Sequence, residues 1–323
     1  MSDRLLPRQN NGETNIDWIS RMIKEKRINF IDNGEFEKPV FVKLGGSGVI
    51  RKTLWKTKNK DIILKEIVPE EVITEPELQE LIKEIKAFDS IRVGEQSDIN
   101  KIGYPNVIEC FGVSRFNEQE PFLLVLEHAD IGCLRDYLNN HHDNLKWGQK
   151  INIARQITCG LHFLHKNGIL HRDLNTQNIV IKRDETFEDG IRVIIIDFGL
   201  SKVVPRKSIS HQRIKGHANF VDPVILEASD SQFGEIYRYQ SDIYSLGVTF
   251  WEISSNGQQT KKNIPPDIII LNRIKGERER PVAGSTRPFV ELYQKCWDHN
   301  PQNRPDIYQV HESIYRDDII SGE

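Results

Sequence analysis

The chain has 323 residues, with 44 lysines and arginines against 47 aspartates and glutamates, for a net charge of −3. Its 38% hydrophobic and 28% charged residues suit a globular protein long enough to split its core between two lobes, and exclude a repetitive, collagen-like or disordered chain. The balanced charge gives no domain-wide positive field for nucleic acid or anionic membrane, and the longest apolar runs, such as Val193 to Ile196, are too short to span a bilayer. After a polar leader, Asn15 opens a helix carrying Ile16, Ile19, Met22 and Ile23 at helical spacing, expected to pack on the domain surface, with partner binding as the alternative.

From Phe36 to Lys65 the pattern changes to short strand-like runs, Val40 to Lys43, Val49 to Trp55 and Ile62 to Lys65, punctuated by Gly45, Gly46, Gly48 and Asn59. Consecutive antiparallel strands are expected there. Glu77 to Ile91, after Pro76, reads as a helix with Leu78, Leu81, Ile82 and Ile85 on one face. Arg92 to Tyr104 has no periodicity and reads as a surface loop, and Phe122 to Glu127 as another strand. Beyond it, Cys133 to Asn140 and Trp147 to Asn167 carry apolar residues three and four apart, so helices follow strands and the class is α+β.

The strongest chemical signal is His171-Arg172-Asp173-Leu174-Asn175-Thr176-Gln177-Asn178, followed after a strand pair by Asp197-Phe198-Gly199. This pattern resembles the catalytic loop and metal-binding motif of protein kinases. The resemblance implies that Asp173 orients a substrate hydroxyl and takes its proton, while Asn178 and Asp197 offer oxygen ligands suited to Mg²⁺ bridging the phosphates of ATP.

Upstream, Lys43-Leu44-Gly45-Gly46-Ser47-Gly48-Val49-Ile50 resembles the glycine-rich loop over ATP, with Gly45 and Gly48 at its second and third glycines. Lys43 replaces the first glycine and Ser47 the usual aromatic tip. Lys65, ending Ile62-Ile63-Leu64-Lys65, takes the place of the lysine on the α and β phosphates, with Glu84 as its helix partner and Glu80 as the rival one turn earlier. Ile63 stands where a small residue usually faces adenine. Leu123 to Leu126 leads into Glu127-His128-Ala129, which resembles the hinge, with Leu126 as gatekeeper and main-chain groups of Glu127 and Ala129 reading adenine. His128, His141 and His142 lack metal spacing and read as loop histidines.

The resemblance covers Glu37 to Ile314, including Asp242-Ile243-Tyr244-Ser245-Leu246-Gly247-Val248, Trp251-Glu252, Cys296-Trp297 and Asn303-Arg304-Pro305, and points to tyrosine kinases and tyrosine-kinase-like serine/threonine kinases. Asn175 fits neither group, since serine/threonine kinases usually carry Lys there. Gly216 to Pro223 looks more like the substrate-docking segment of tyrosine-kinase-like serine/threonine enzymes. Val224 takes the place of the Glu that usually pairs with an Arg, here Arg304, with Glu227 as the acid that could replace it. Arg172 beside Asp173 suits pairing with a phosphate on the activation segment, where Ser208 and Ser210 are the acceptors, ordinary polar loop residues being the alternative.

The expectation is therefore a two-lobed α+β kinase fold with an N-terminal extension over residues 1–35, a small antiparallel lobe with one helix over 36–127, a mainly helical lobe over 128–319, and ATP between the lobes. Its activity would be ATP- and Mg²⁺-dependent phosphorylation of Ser/Thr, less readily Tyr, on protein substrates in cytoplasmic signalling, without nucleic acid or direct membrane association. The four scattered cysteines, Cys110, Cys133, Cys159 and Cys296, suit such a reducing compartment. A pseudokinase scaffold is the alternative, suggested by Lys43, Ser47, Ile63, His217 and Val224; a small-molecule kinase is a third reading.

Overall fold

The computed structural model describes residues 15–45, 48–66, 106–117, 120–141, 145–197, 218–227, 238–257 and 264–322. The chain falls into two units, Met1–Gly103 with Ile108–Ala129, and Tyr104–Val107 with Asp130–Glu323. The helix expected from Glu77 to Ile91 and the loop from Arg92 to Tyr104 lie outside the described residues.

In the first unit, β1 (Val40–Gly45), β2 (Gly48–Trp55), β3 (Lys60–Glu66), β4 (Cys110–Ser114) and β5 (Leu123–Glu127) form an antiparallel sheet in the order β1-β2-β3-β5-β4. Strand alternation divides β3 between two faces. Ile62 and Leu64 join Ile31, Phe36, Trp55, Leu123 and Val125 in one apolar cluster, so Lys65 projects to the opposite face, where it is nonetheless buried. Trp55 fits the cluster because its indole N–H has a partner: Nε1 donates to Glu35 Oε2 at 2.7 Å.

The N-terminal extension is built into this unit. Helix α1 (Asn15–Lys24) buries Trp18, Ile19 and Met22 completely, as expected of a helix packed on the domain. Two residues past its end, Lys26 with φ of 58° turns the chain so that Arg27 N–H still reaches Met22 O at 2.8 Å. The following residues run along the outer edge of β4: Val113 N–H donates to Asn29 O and Ile31 N–H to Val113 O, both at 2.9 Å. A sheet edge that would otherwise present unpaired main-chain groups is thereby covered. The close approach requires glycine at position 112, where φ is 147° and a Cβ would stand 2.2 Å from Asn29 O.

In the second unit, β6 (Gly132–Cys133), β7 (Ile179–Arg183) and β8 (Ile191–Ile195) form a small antiparallel sheet, and helices make up most of the rest. These are α2 (Leu134–Asn140), α3 (Trp147–Lys166), α4 (Pro223–Glu227), α5 (Tyr239–Ser254), α6 (Pro266–Ile274), α7 (Arg287–Cys296), α8 (Ile307–Ile314) and α9 (Asp318–Ser321). Sequence periodicity starts the helix of Cys133 one residue early. Cys133 pairs with Val180 in extended conformation, and α2 begins at Leu134. Helix α5 is buried almost all round from Ser241 to Ser254, which makes it a central support. Asn106 ties α3 to β8: its Nδ2 donates to Gln156 Oε1 and to Val193 O at 2.8 Å each, and its carbonyl accepts from Ile195 N–H at 2.9 Å.

Candidate active site

The loop between α3 and β7 brings Asp173, Asn175 and Asn178 together. Asp173 is exposed, and its carboxylate is held from both sides: Asn175 Nδ2 donates to Oδ1 at 3.2 Å and Asn178 Nδ2 to Oδ2 at 2.9 Å. Both amides also donate to the Asp173 carbonyl, at 2.9 and 2.8 Å. Such a carboxylate has a fixed plane and keeps lone pairs open to a hydroxyl donor, the requirement for a positioned base.

The loop owes its shape to Asp242 on α5. The buried Asp242 carboxylate accepts from the main-chain N–H of His171 and of Arg172, at 2.8 Å each, and from His165 Nε2 at 2.9 Å. Burial alone would raise its pKa, but the hydrogen bond from the His165 ring and the Arg172 N–H outweigh it and hold the carboxyl below its usual range. These bonds grip Arg172, a non-glycine residue with φ of 67°, a conformation that persists only where its surroundings enforce it. His171 is fully buried and bridges the site, its Nε2–H donating to Ile196 O at 3.1 Å while Nδ1 accepts from Asp173 N–H at 3.2 Å. Burial pushes its pKa down, and the neutral ring is the form that can make both bonds.

Asp197 arrives beside this loop by register. Ile179 pairs with Ile195 across β7 and β8, so Asn178 and Ile196 leave the hairpin at the same end, where Ile196 N–H donates to Asn178 O at 2.9 Å. Asp197 follows with φ of 60°, a second strained position at the same end. A hard divalent cation takes oxygen ligands. Asn178 commits its amide nitrogen to Asp173, which leaves the carboxamide oxygen as its ligand atom, and Asp197 adds a half-buried carboxylate, so this donor set fits Mg²⁺.

Thr176 anchors the far side of the loop. Its hydroxyl donates to Glu252 Oε2 at 2.7 Å and accepts from Arg135 Nε at 3.0 Å, and Arg135 also pairs with Glu252 at 3.2 Å. Burial pushes the Glu252 carboxyl up, opposed by Arg135 and Thr176.

In the first unit, β1 and β2 pair up to Gly45 opposite Gly48, and Ile50 lies opposite Lys65. Ile63 is half-buried and pairs with Leu126, which is buried. Glu127 is buried too and spends its own main-chain N–H on Glu109 O at 2.9 Å, while Ala129 is half-buried just beyond.

Residues 42–314 match the family described as protein tyrosine and serine/threonine kinase. The chain belongs to the protein kinase family. It is similar to a protein of Acanthamoeba polyphaga mimivirus named as a serine/threonine-protein kinase/receptor, 27% identical over 288 residues, covering 87% of this chain and 16% of that protein. It is also similar to tyrosine-protein kinase ABL2 of Homo sapiens, 25% identical over 287 residues, covering 87% of this chain and 22% of ABL2. The Abl transforming protein of Abelson murine leukemia virus is likewise 25% identical, with 35% of its length covered. The chain thus spans about a third or less of these relatives. Membership of the kinase family implies use of ATP and Mg²⁺ and a protein substrate. Among the described residues no helix is long and apolar enough to cross a membrane.

One expectation about this kinase is overturned. Arg304 does not turn to Glu227, which is exposed and stands 3.9 Å from His299. Its guanidinium instead makes a two-pronged pair with Asp222, NH1 to Oδ2 at 2.6 Å and NH2 to Oδ1 at 2.9 Å, with both side chains buried. Asp222 also accepts from Ser241 Oγ at 2.9 Å and Val224 N–H at 3.1 Å. An acid on the N-terminal side of Pro223 thus supplies the charge that Val224 lacks, because Asp222, just ahead of α4, is held at the start of α5 by Ser241.

Glu84 and Glu80, the loop tip at Gly46 and Ser47, Phe198 and Gly199, Ser208 and Ser210, Gly216 and His217, and His142 lie outside the described residues. Asp242, His165, Arg135 and Asn175 are the supporting residues that motif reading left without roles.

Proposed function

We propose that this kinase is catalytically active and transfers the γ-phosphoryl group of ATP to serine or threonine hydroxyls of protein substrates. The observation that carries the proposal is the Asp173 carboxylate held on both oxygens by amide donors, one of them from Asn178, whose carbonyl accepts from Ile196 N–H just before Asp197. In the reaction the substrate hydroxyl oxygen bonds to the γ-phosphorus, the bond from that phosphorus to the bridging oxygen of ADP breaks, and Asp173 takes the hydroxyl proton. Asn178 and Asp197 would hold Mg²⁺, which when bound supplies charge neutralisation for the phosphates. Lys65, steadied by Glu84, would hold the α and β phosphates under the loop from Gly45 to Gly48 and Ile50. Ile63, Leu126 and main-chain groups of Glu127 and Ala129 would receive adenine.

The serine/threonine reading rests on the segment from Gly216 to Pro223, and the relatives named above fall on both sides of that division. Val224 counted toward a pseudokinase; the Asp222–Arg304 pair weakens that ground. The test is transfer from labelled ATP with Mg²⁺, followed by phosphoamino-acid analysis of the products. Phosphoserine or phosphothreonine formed by the wild type, and falling by roughly 10³-fold or more in Asp173→Ala and Asp197→Asn, is the expected result. Folded wild-type protein that transfers nothing would favour the scaffold reading, and phosphotyrosine alone would reverse the specificity.

A further inference from the structure

The catalytic loop reads Leu174-Asn175-Thr176-Gln177 between Asp173 and Asn178, so it holds no cation there. Asn175 is fully buried, between Leu174 and Thr176, which are buried as well. Its carboxamide makes two separable sets of bonds. The oxygen accepts from Gln177 N–H at 2.9 Å and from Asn178 N–H at 3.3 Å, closing the turn that returns the chain toward Asp173. The nitrogen donates to the Asp173 carbonyl at 2.9 Å and to its carboxylate Oδ1 at 3.2 Å. Because Asn178 holds the other carboxylate oxygen, removing the Asn175 donor would free one side of the base and let its plane rotate.

We infer that Asn175 is a positioning residue for Asp173, a neutral donor that fixes the carboxylate at a place in the loop where a cation is otherwise expected. The inference rests on the proposed phosphoryl transfer. It assigns the amide nitrogen to catalysis and the amide oxygen to the fold of the loop. It also leaves the charge developing on the transferred group to be met from outside Leu174 to Gln177.

The two assignments separate in Asn175→Asp, which keeps an oxygen for the Gln177 and Asn178 N–H groups but replaces the donor with an oxygen facing the Asp173 carboxylate. The expected result is kcat lower by about 10–100-fold with KM for ATP within about twofold of wild type, since a small misplacement of a reacting group has an effect of that order. A purely structural Asn175 predicts the opposite: wild-type kcat in Asn175→Asp overturns the inference. If that variant does not fold, Asn175→Ala, which adds no charge but loses both sets of bonds, tests the positioning of Asp173 without separating the two assignments. There, a kcat loss at unchanged KM for ATP supports the inference and an unchanged kcat overturns it. Wild type that transfers no phosphate overturns the proposed phosphoryl transfer and this inference together, whereas transfer by wild type with an unchanged kcat in the variant overturns this inference alone.

Discussion

Asp242 shows how much of this site is held by a residue that takes no part in chemistry. It lies 71 residues from His171 and 70 from Arg172 along the chain, yet accepts both of their main-chain N–H groups, so the backbone entering Asp173 has its conformation set from α5. In Asp242→Asn one acceptor oxygen becomes a donor and must face an N–H or the His165 ring, leaving a buried donor unmet. The expected cost is about 1–3 kcal/mol of stability, measured by urea unfolding. Phosphoryl transfer should fall by roughly 10²-fold as Asp173 shifts. A stability change under about 0.5 kcal/mol, the usual range for an inert surface change, would remove this role. Asp173, Asn178 and Asp197 were legible in the sequence because their spacing along one segment is itself the pattern. The hands that hold them were not, since hydrogen bonds across such separations leave no local periodicity, and Asn175 reads on paper as a departure rather than a clamp.

Elements were legible in proportion to their length and regularity. The alternation of Ile62 and Leu64 and the apolar stripe of α1 announced a strand and a helix, whereas the two residues of β6 are too few for a period and were absorbed into α2. The junction of α4 and α5 was the hardest to read, because it turns on which acid Arg304 meets. Glu227 is available in sequence, but one turn of helix carries it to the exposed side, while Asp222 accepts both guanidinium prongs with Ser241 behind it. Removing one member of a buried pair strands the other charge, so Asp222→Ala should lose about 3–5 kcal/mol in urea unfolding. Glu227→Ala should stay within about 0.5 kcal/mol. Equal effects of the two changes would return the role to Glu227. Because Asp222 closes the segment from Ala218 to Pro223, Asp222→Ala protein that remains folded should also lose affinity for protein substrate more than for ATP.

At the scale of the whole molecule, the succession of a strand-rich part and a helix-rich part was legible from the change of period along the chain, but the conditions under which the helical unit holds together depend on burial, which sequence does not display. His171 and His162 both lie in that unit, and burial is the largest cause pushing each of their pKa values down. Around His162 the charges of His311, Lys166 and His165 push the same way, while around His171 the carboxylates Asp242, Asp173 and Asp197 and the Ile196 carbonyl oppose burial without overcoming it. A histidine whose folded pKa lies below the unfolded value of about 6.5 binds its proton more readily when unfolded. Its contribution to stability is therefore complete above pH 6.5 and is lost as pH falls from there toward the folded value. Asp242, also lowered, keeps its contribution until pH falls below its ordinary value of 3.8, so it leaves this window untouched. Glu252 is raised and acts with the opposite sign, its penalty growing as pH climbs from its ordinary value of 4.5. Between pH 7.5 and 5.5 the two histidines should set the trend, and the urea midpoint of the helical unit should fall as the solution is acidified. Activity should fall with it, because a protonated His171 has no Nδ1 lone pair for the Asp173 N–H. His162→Leu removes one of the two groups and should make the fall shallower. A midpoint that stays level across this range in the wild type would mean that neither ring is held neutral by the fold.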